Sequence, residues 1–399
     1  DEEIAKGREN ELRKKLNTQL VDNMVLRYKI NKQDLEKMDE IRIPSLAQIQ
    51  EKLHPGEGII EYAINDSTLI WSFMTEDRTL TGLKEVAQLP EKISKELYAI
   101  KTGRSSTGIG SLLLGDLEAE ISKLNHLTIV PDKNLNYIPF EWLVLPQSGK
   151  RLIEEVPVSY NYSTSLWHLL KEQRKPDKKI KMLTVAPLFY DTTRDTIPDI
   201  HYASRYRGSR NLQPLYHSME EVNTIDSLVH SSRIDLFNLV GPEADIANTK
   251  KYMGQYDIIH IATHGLVNEE HPERSGLFLY PDDKKTQKED NFLSMGELMT
   301  MEIGAELVVL SACNTGKGEI AEGEGVLALP RGFILSGVPN VISTLWKVHD
   351  EKTKELMTSF YRYLLEGNTY PEALRLAKLE AIENGFLPMD WAGIVLTGS

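Results

Sequence analysis

The rhythm of apolar and polar positions changes twice along the chain. In the first 54 residues Leu12, Leu16, Leu20, Met24 and Tyr28 recur at every fourth position, which predicts one apolar stripe on an amphipathic helix. Pro44, Ser45 and Gln48 then match a capped helix start, with Leu46, Ile49 and Leu53 on one face. From Gly58 the period shortens. Ile59 to Ile64, the turn Asn65-Asp66-Ser67 and Thr68 to Met74 predict a β-hairpin. Helix-like spacing follows from Ser111 to Leu124, then a short apolar strand, Leu127 to Val130, stopped by Pro131.

The second half alternates. Strands are predicted at Met182 to Ala186, Ile234 to Asn238, Asp257 to Thr263, Leu277 to Tyr280, Glu306 to Leu310 and Asn340 to Leu345. Helices are predicted at Ser218 to His230, Glu243 to Met253 and Gly325 to Leu335, with two more between Asp350 and Asn384. Apolar strands joined by helices imply an α/β fold with a mostly parallel sheet covered on both faces. In such sheets ligands gather outside the carboxyl ends of the strands.

Length and charge narrow the picture. The 399 residues leave room for two or three units with cores of their own. A formal charge of −13 argues against nucleic acid or anionic lipid as a direct partner, and no 18-residue apolar run suggests a membrane span. The lone cysteine, Cys313, excludes an internal disulfide and fits a reducing, cytoplasmic setting. The chain opens at Asp1 without a targeting pattern, so it reads as a piece of something longer. The basic stretch Lys171 to Lys181 is the best candidate boundary. It divides a helical lead-in (1–54) and an α/β subdomain (55–175) from a second α/β domain (176–399). Residues 188 to 216, with Arg194, Arg205, Arg207 and Arg210, read as a long loop, either regulatory or simply solvated.

Two predicted strands end in reactive side chains. DIIHIATHG sets His264 and Gly265 just past one, and ELVVLSACNTG sets Cys313 just past another. If both strands share one parallel sheet, thiol and imidazole meet at a common edge. There the imidazole can take the thiol proton, and the Gly265 and Cys313 amides can donate to an oxyanion. Against this stands the ordinary fate of a lone cysteine after a buried strand, an inert core position. The separation of 49 positions between His264 and Cys313 matches the spacing of about 50 known for caspases. A metal site on His260 and His264 is not expected, because four positions along a strand separate them by about 13 Å. The acidic loop Glu322-Gly323-Glu324-Gly325 lacks the lysine of a phosphate-binding loop.

The chain resembles the CHAT-domain proteins, a group of caspase-like cysteine peptidases that is also similar to separase. The resemblance runs in order through LTIVPDKNLNYIPFEWL, IIHIATHG, LVVLSACNTG, EGEGVLALPRGFILSGVPNVISTLW, VHDEKTKELMTSFYRYLLEG and PEALRLAKLEAI, over roughly residues 55 to 399. It implies a caspase-like catalytic domain preceded by a pseudo-protease-like subdomain, with His264 and Cys313 as a catalytic dyad. It further implies an oxyanion hole at Gly265 and Cys313 and cleavage of a protein substrate without metal or cofactor. Regulation by a partner or an upstream helical sensor fits the same resemblance, as does a place in bacterial defence. The caspase glutamine before Ala-Cys is Ser311 here, which argues against aspartate specificity. Leu345 to Asp350 resembles the separase segment beside its primary pocket, making Ser311, Trp346 and Asp350 candidate substrate contacts. For Asp350 a helix cap is the alternative, and for the whole chain the alternative is a catalytically silent protein-interaction adaptor.

Overall fold

Short strands such as Ile258–Ile261 and Leu307–Leu310, apolar but for His260, have every residue buried, so they must lie where helices cover both faces of a sheet. A computed structural model of the chain bears this out. It describes residues 43–65, 67–104, 106, 108–171, 180–188, 201–202, 210–211, 216–230, 232, 234–268, 274–280, 291–311, 313–314 and 328–398. The predicted helix through Leu12 to Tyr28, the core of the basic boundary run, Arg194, Arg205, Arg207 and the loop Glu322 to Gly325 lie outside the described residues. The described residues from Leu46 onward form one compact unit.

The strands are β1 (Glu57–Ile64), β2 (Thr68–Met74), β3 (Thr79–Glu85), β4 (His126–Val130), β5 (Val158–Tyr160), β6 (Lys181–Ala186), β7 (His201–Tyr202), β8 (Arg210–Asn211), β9 (Asp235–Val240), β10 (Ile258–Ile261), β11 (His264–Leu266), β12 (Gly276–Phe278), β13 (Phe292–Ser294), β14 (Leu307–Leu310), β15 (Cys313–Asn314), β16 (Val341–Thr344) and β17 (Ile394–Thr397). Eleven of them form one sheet in the order β3-β2-β1-β4-β5-β17-β16-β14-β10-β6-β9, and β13-β12-β11-β15 form a second. The hairpin β1–β2 matches its predicted limits, with Ile64 opposite Leu69. Neither β3 nor β17 stood out in the sequence. β3 is mostly polar, its TLTGLKE run holding two leucines among five polar or glycine positions, and Gly82 is needed because a Cβ there would sit 2.3 Å from the Trp71 ring.

Helices cover both faces: α1 (Leu46–Lys52), α2 (Leu89–Lys101), α3 (Thr164–Leu170), α4 (Tyr216–Val229), α5 (Ile246–Met253), α6 (Ala328–Leu335), α7 (Asp350–Leu365) and α8 (Tyr370–Glu383). One core joins Leu97 and Ile100 of α2, Leu356 and Phe360 of α7 and Leu374 of α8 to sheet residues Ile60, Ile129, Val309 and Ile342. A second sets Met253 of α5 and Phe333 of α6 against Leu183, Ile259 and Val308. Direction reverses within the large sheet. β17 runs parallel to β5 but antiparallel to β16, so β1, β4 and β5 point opposite to β6, β9, β10, β14 and β16.

One buried ion pair links distant parts of the chain. Lys378 on α8 and Glu141 are 1% and 3% exposed, with Nζ and Oε1 2.7 Å apart. The Tyr160 hydroxyl donates to the other Glu141 oxygen and accepts from the Phe140 amide. Burial and the Glu141 charge hold the Tyr160 hydroxyl protonated, far above its usual range. Removing one partner of such a pair strands the other charge in apolar surroundings. Lys378→Met is therefore expected to cost about 3–5 kcal/mol of unfolding free energy, read as a lowered urea midpoint. Adding Glu141→Gln, which keeps an acceptor for Tyr160, is expected to recover most of the loss.

Candidate active site

β10 and β14 lie side by side in parallel, Ile258 opposite Leu307 and Ile261 opposite Leu310. The sequence predicts His264 and Cys313 just past the ends of these strands. The chain instead breaks at Ala262 and Thr263, whose groups bond to the Val185 and Phe278 carbonyls, and the pair then resumes in the second sheet. There β11 and β15 run parallel with His264 opposite Cys313 and Gly265 opposite Asn314. Facing residues on neighbouring strands stand about 4.8 Å apart across the ladder. His264 and Gly265 are buried. Thus two residues far apart in sequence occupy one rung.

Ser311 sits between β14 and β15, and its hydroxyl donates to Glu221 Oε2 at 3.0 Å. Glu221 lies on α4 and is buried, with its Oε1 3.2 Å from Nε2 of the fully buried His260. His260 Nδ1 lies 3.1 Å from the Tyr361 hydroxyl of α7. His260 thus has a carboxylate and a phenol as neighbours rather than a metal partnership with His264.

Asp350 begins α7. The helix-cap position belongs to His349, which makes no side-chain cap bond, so capping does not account for Asp350. The segment before it is pinned: Trp346 Nε1 donates to the Met389 carbonyl at 2.8 Å, and His349 Nδ1 lies 2.7 Å from Asp390 Oδ1. Trp346 is buried over Gly393, where a Cβ would meet its ring at 2.4 Å. Its indole is a packing element whose polar edge is already engaged. Burial raises the Asp350 carboxyl above the usual aspartate range and the negative charge of Glu221 adds to this, while His217, His264 and Lys347 pull it down. Asp350 therefore shares one electrostatic neighbourhood with His264 and Glu221.

Glu221 and Tyr361 escaped the sequence reading, although a signal existed for the first. Ser218, Val222, Ile225 and Val229 form one buried stripe of α4, and Glu221 falls within it. A carboxylate inside an apolar stripe demands a partner. Tyr361 follows Phe360 on the buried face of α7 and looked like core.

The CHAT domain model matches residues 104–399. Tetratricopeptide repeat protein 28 of Mus musculus is 32% identical over 109 residues, 27% of this chain and 4% of the relative. Its Homo sapiens counterpart is 31% identical over the same length and shares. The chain thus spans a small fraction of these relatives. Among solved structures, the Saccharomyces cerevisiae separase–securin complex at 3.0 Å aligns with TM-score 0.59 and 12% identity over 95% of this chain and 32% of that one. A second structure of that complex gives 0.55 and 12% over 88% and 31%. The fold is the caspase-like α/β arrangement of that group.

The raised Asp350 carboxyl has a thermodynamic consequence. Its ionised form is disfavoured in the folded chain relative to the unfolded one, so ionisation costs stability above its titration and nothing well below it. Asp350→Asn is expected to unfold at higher temperature than wild type at neutral and alkaline pH. The gain should shrink as pH falls through the folded-state value, and thermal unfolding across a pH series reads both. A variant less stable throughout would contradict this account.

Proposed function

The chain belongs to the CHAT-domain family, and we propose that it is a cysteine endopeptidase acting on a protein substrate. The observation that carries this reading is the parallel rung of His264 and Cys313. Residues facing one another across a parallel ladder project to the same side, which supports an imidazole within reach of the thiol. In the proposed reaction the Cys313 thiolate attacks the scissile carbonyl, forming a C–S bond, while the Gly265 and Cys313 amides hold the oxyanion. His264 delivers a proton to the nitrogen as the C–N bond breaks. Water, deprotonated by His264, then hydrolyses the thioester and returns Cys313. The chemistry runs on side chains and backbone amides alone.

Asp350 is our candidate for binding a basic substrate side chain, supported by its electrostatic coupling to His264. Ser311 contacts Glu221 and is assigned no direct role in substrate binding. Regulation is part of the proposal. The matched relatives are named for tetratricopeptide repeats, which supports an upstream repeat array as sensor. Separase has been solved with securin, which supports control by a bound partner. A reducing cytoplasm would keep Cys313 as a thiol, and bacterial stress or immune signalling is the setting we favour.

The test is a peptide library incubated with wild type, Cys313→Ala and His264→Ala. Wild type is expected to cleave, with a preference for Lys or Arg before the scissile bond, and each variant to lose at least about 1,000-fold in rate. An electrophilic peptide should label Cys313 in wild type alone. Neither cleavage nor labelling would leave the fold as a protein-binding adaptor. Labelling with turnover of small amides only would make it a different hydrolase.

A further inference from the structure

Glu221 is a buried acid near the candidate site that the proposed reaction leaves unused. Its surroundings are built rather than incidental. Three elements converge on it: the end of β14 through Ser311, β10 through His260, and α7 through Tyr361 behind His260. Burial and the Glu221 charge keep the Tyr361 hydroxyl protonated, well above its usual range. That hydroxyl can then donate to His260 Nδ1, which assigns the ring proton to Nε2, the nitrogen facing Glu221. A carboxylate sealed among apolar groups is costly unless partners compensate it. Here Ser311 donates to one oxygen, and His260 of β10, backed by Tyr361 of α7, stands beside the other.

The other carboxylate oxygen accepts a hydrogen bond from the Ser311 hydroxyl, two residues before Cys313. Ser311 is the point where the chain leaves the large sheet, after the last paired residue Leu310, and before it enters the rung with His264. We propose that Glu221 is a positioning residue. Through Ser311 it fixes the direction in which the chain leaves β14 and so sets where Cys313 stands relative to His264. This rests on the reading of Cys313 as nucleophile. Its scale follows from geometry, because a shift of about 1 Å in a reacting group costs about 100-fold in rate.

The test separates chemistry in the seated complex from binding. A peptidyl acyloxymethyl ketone alkylates the thiolate once seated in the cleft, whereas iodoacetamide needs no seating. Glu221→Ala and Ser311→Ala are each expected to slow the maximal rate of peptidyl inactivation by about 10- to 100-fold. The KI and the iodoacetamide rate should stay within about threefold, and the double variant should be no slower than the worse single one, as expected for two residues acting as a unit. Glu221→Gln, which keeps an acceptor for the Ser311 hydroxyl, should stay within about fivefold of wild type, the residual loss reflecting a weaker neutral hydrogen bond. Additive losses overturn the proposal. So does a rise confined to KI for basic probes, which would make Glu221 part of the substrate pocket, or unchanged inactivation in Ser311→Ala, whose folding is checked by its thermal unfolding curve. If wild type shows no Cys313 labelling by the peptidyl probe, the nucleophile reading itself falls, and the proposal with it.

Discussion

The ladder between β10 and β14 is the constraint on which the candidate site depends. Both strands are short, apolar but for His260, and buried on each face, so their register is fixed by packing from two sides at once. A slip of one residue would turn each side chain to the opposite face. Because the strands are parallel and adjacent, their carboxyl ends leave the sheet together. The second rung of pairing, His264 with Cys313, inherits that register after a two-residue break in each chain. The core residues thereby hold together two positions that the sequence separates widely.

Polar groups inside this apolar frame follow one rule. Glu141 is met by Lys378 and Tyr160, and Glu221 by Ser311 with His260 beside it. In both cases a carboxylate ties together segments that no single strand pairing joins, and in both a tyrosine hydroxyl held in its neutral form belongs to the network. Such pairs contribute little net stability compared with apolar packing, but they penalise alternative arrangements in which one charge is left alone. They specify which helix sits over which strand.

The alternating strands and helices of the second half were legible from their apolar periodicity: β14 follows its predicted limits closely, α7 and α8 fill the predicted helical span Asp350 to Asn384, and β10 stops two residues short of the predicted end at Thr263. β3 was hidden by its polar composition, which an edge strand of a half-exposed sheet permits. β17 is a four-residue run whose partner β5 is shorter still, at three residues, and only tertiary packing distinguishes it from a tail. At the site, His264 and Cys313 could be named from the residues that precede them. That they lie in a separate small sheet could not, since the break at Ala262 and Thr263 depends on Phe278, a partner contributed from further along the chain. Asp350 was named for its position, but its link to Glu221 needed the packing of α4 against α7, a contact between elements well separated in sequence.

The reversal of direction inside the large sheet decides which half can carry chemistry of this kind. β4 and β5 run opposite to β10 and β14, so the carboxyl ends of the first half open on the far edge from the His264–Cys313 rung. In a parallel α/β sheet the space for a ligand lies outside the carboxyl ends, so loops following β4 and β5 face away from the candidate site. What the first half supplies is cover. β5 pairs along β17, and β17 along β16, so the strand next to β14 is never an open edge. Arg375 of α8 bonds to the Ile153 and Glu154 carbonyls, and Lys378 one turn later reaches Glu141, so the helix that closes the second half is anchored in the first. Rigidity at the rung therefore depends on residues that lie far from it and come earlier in the chain.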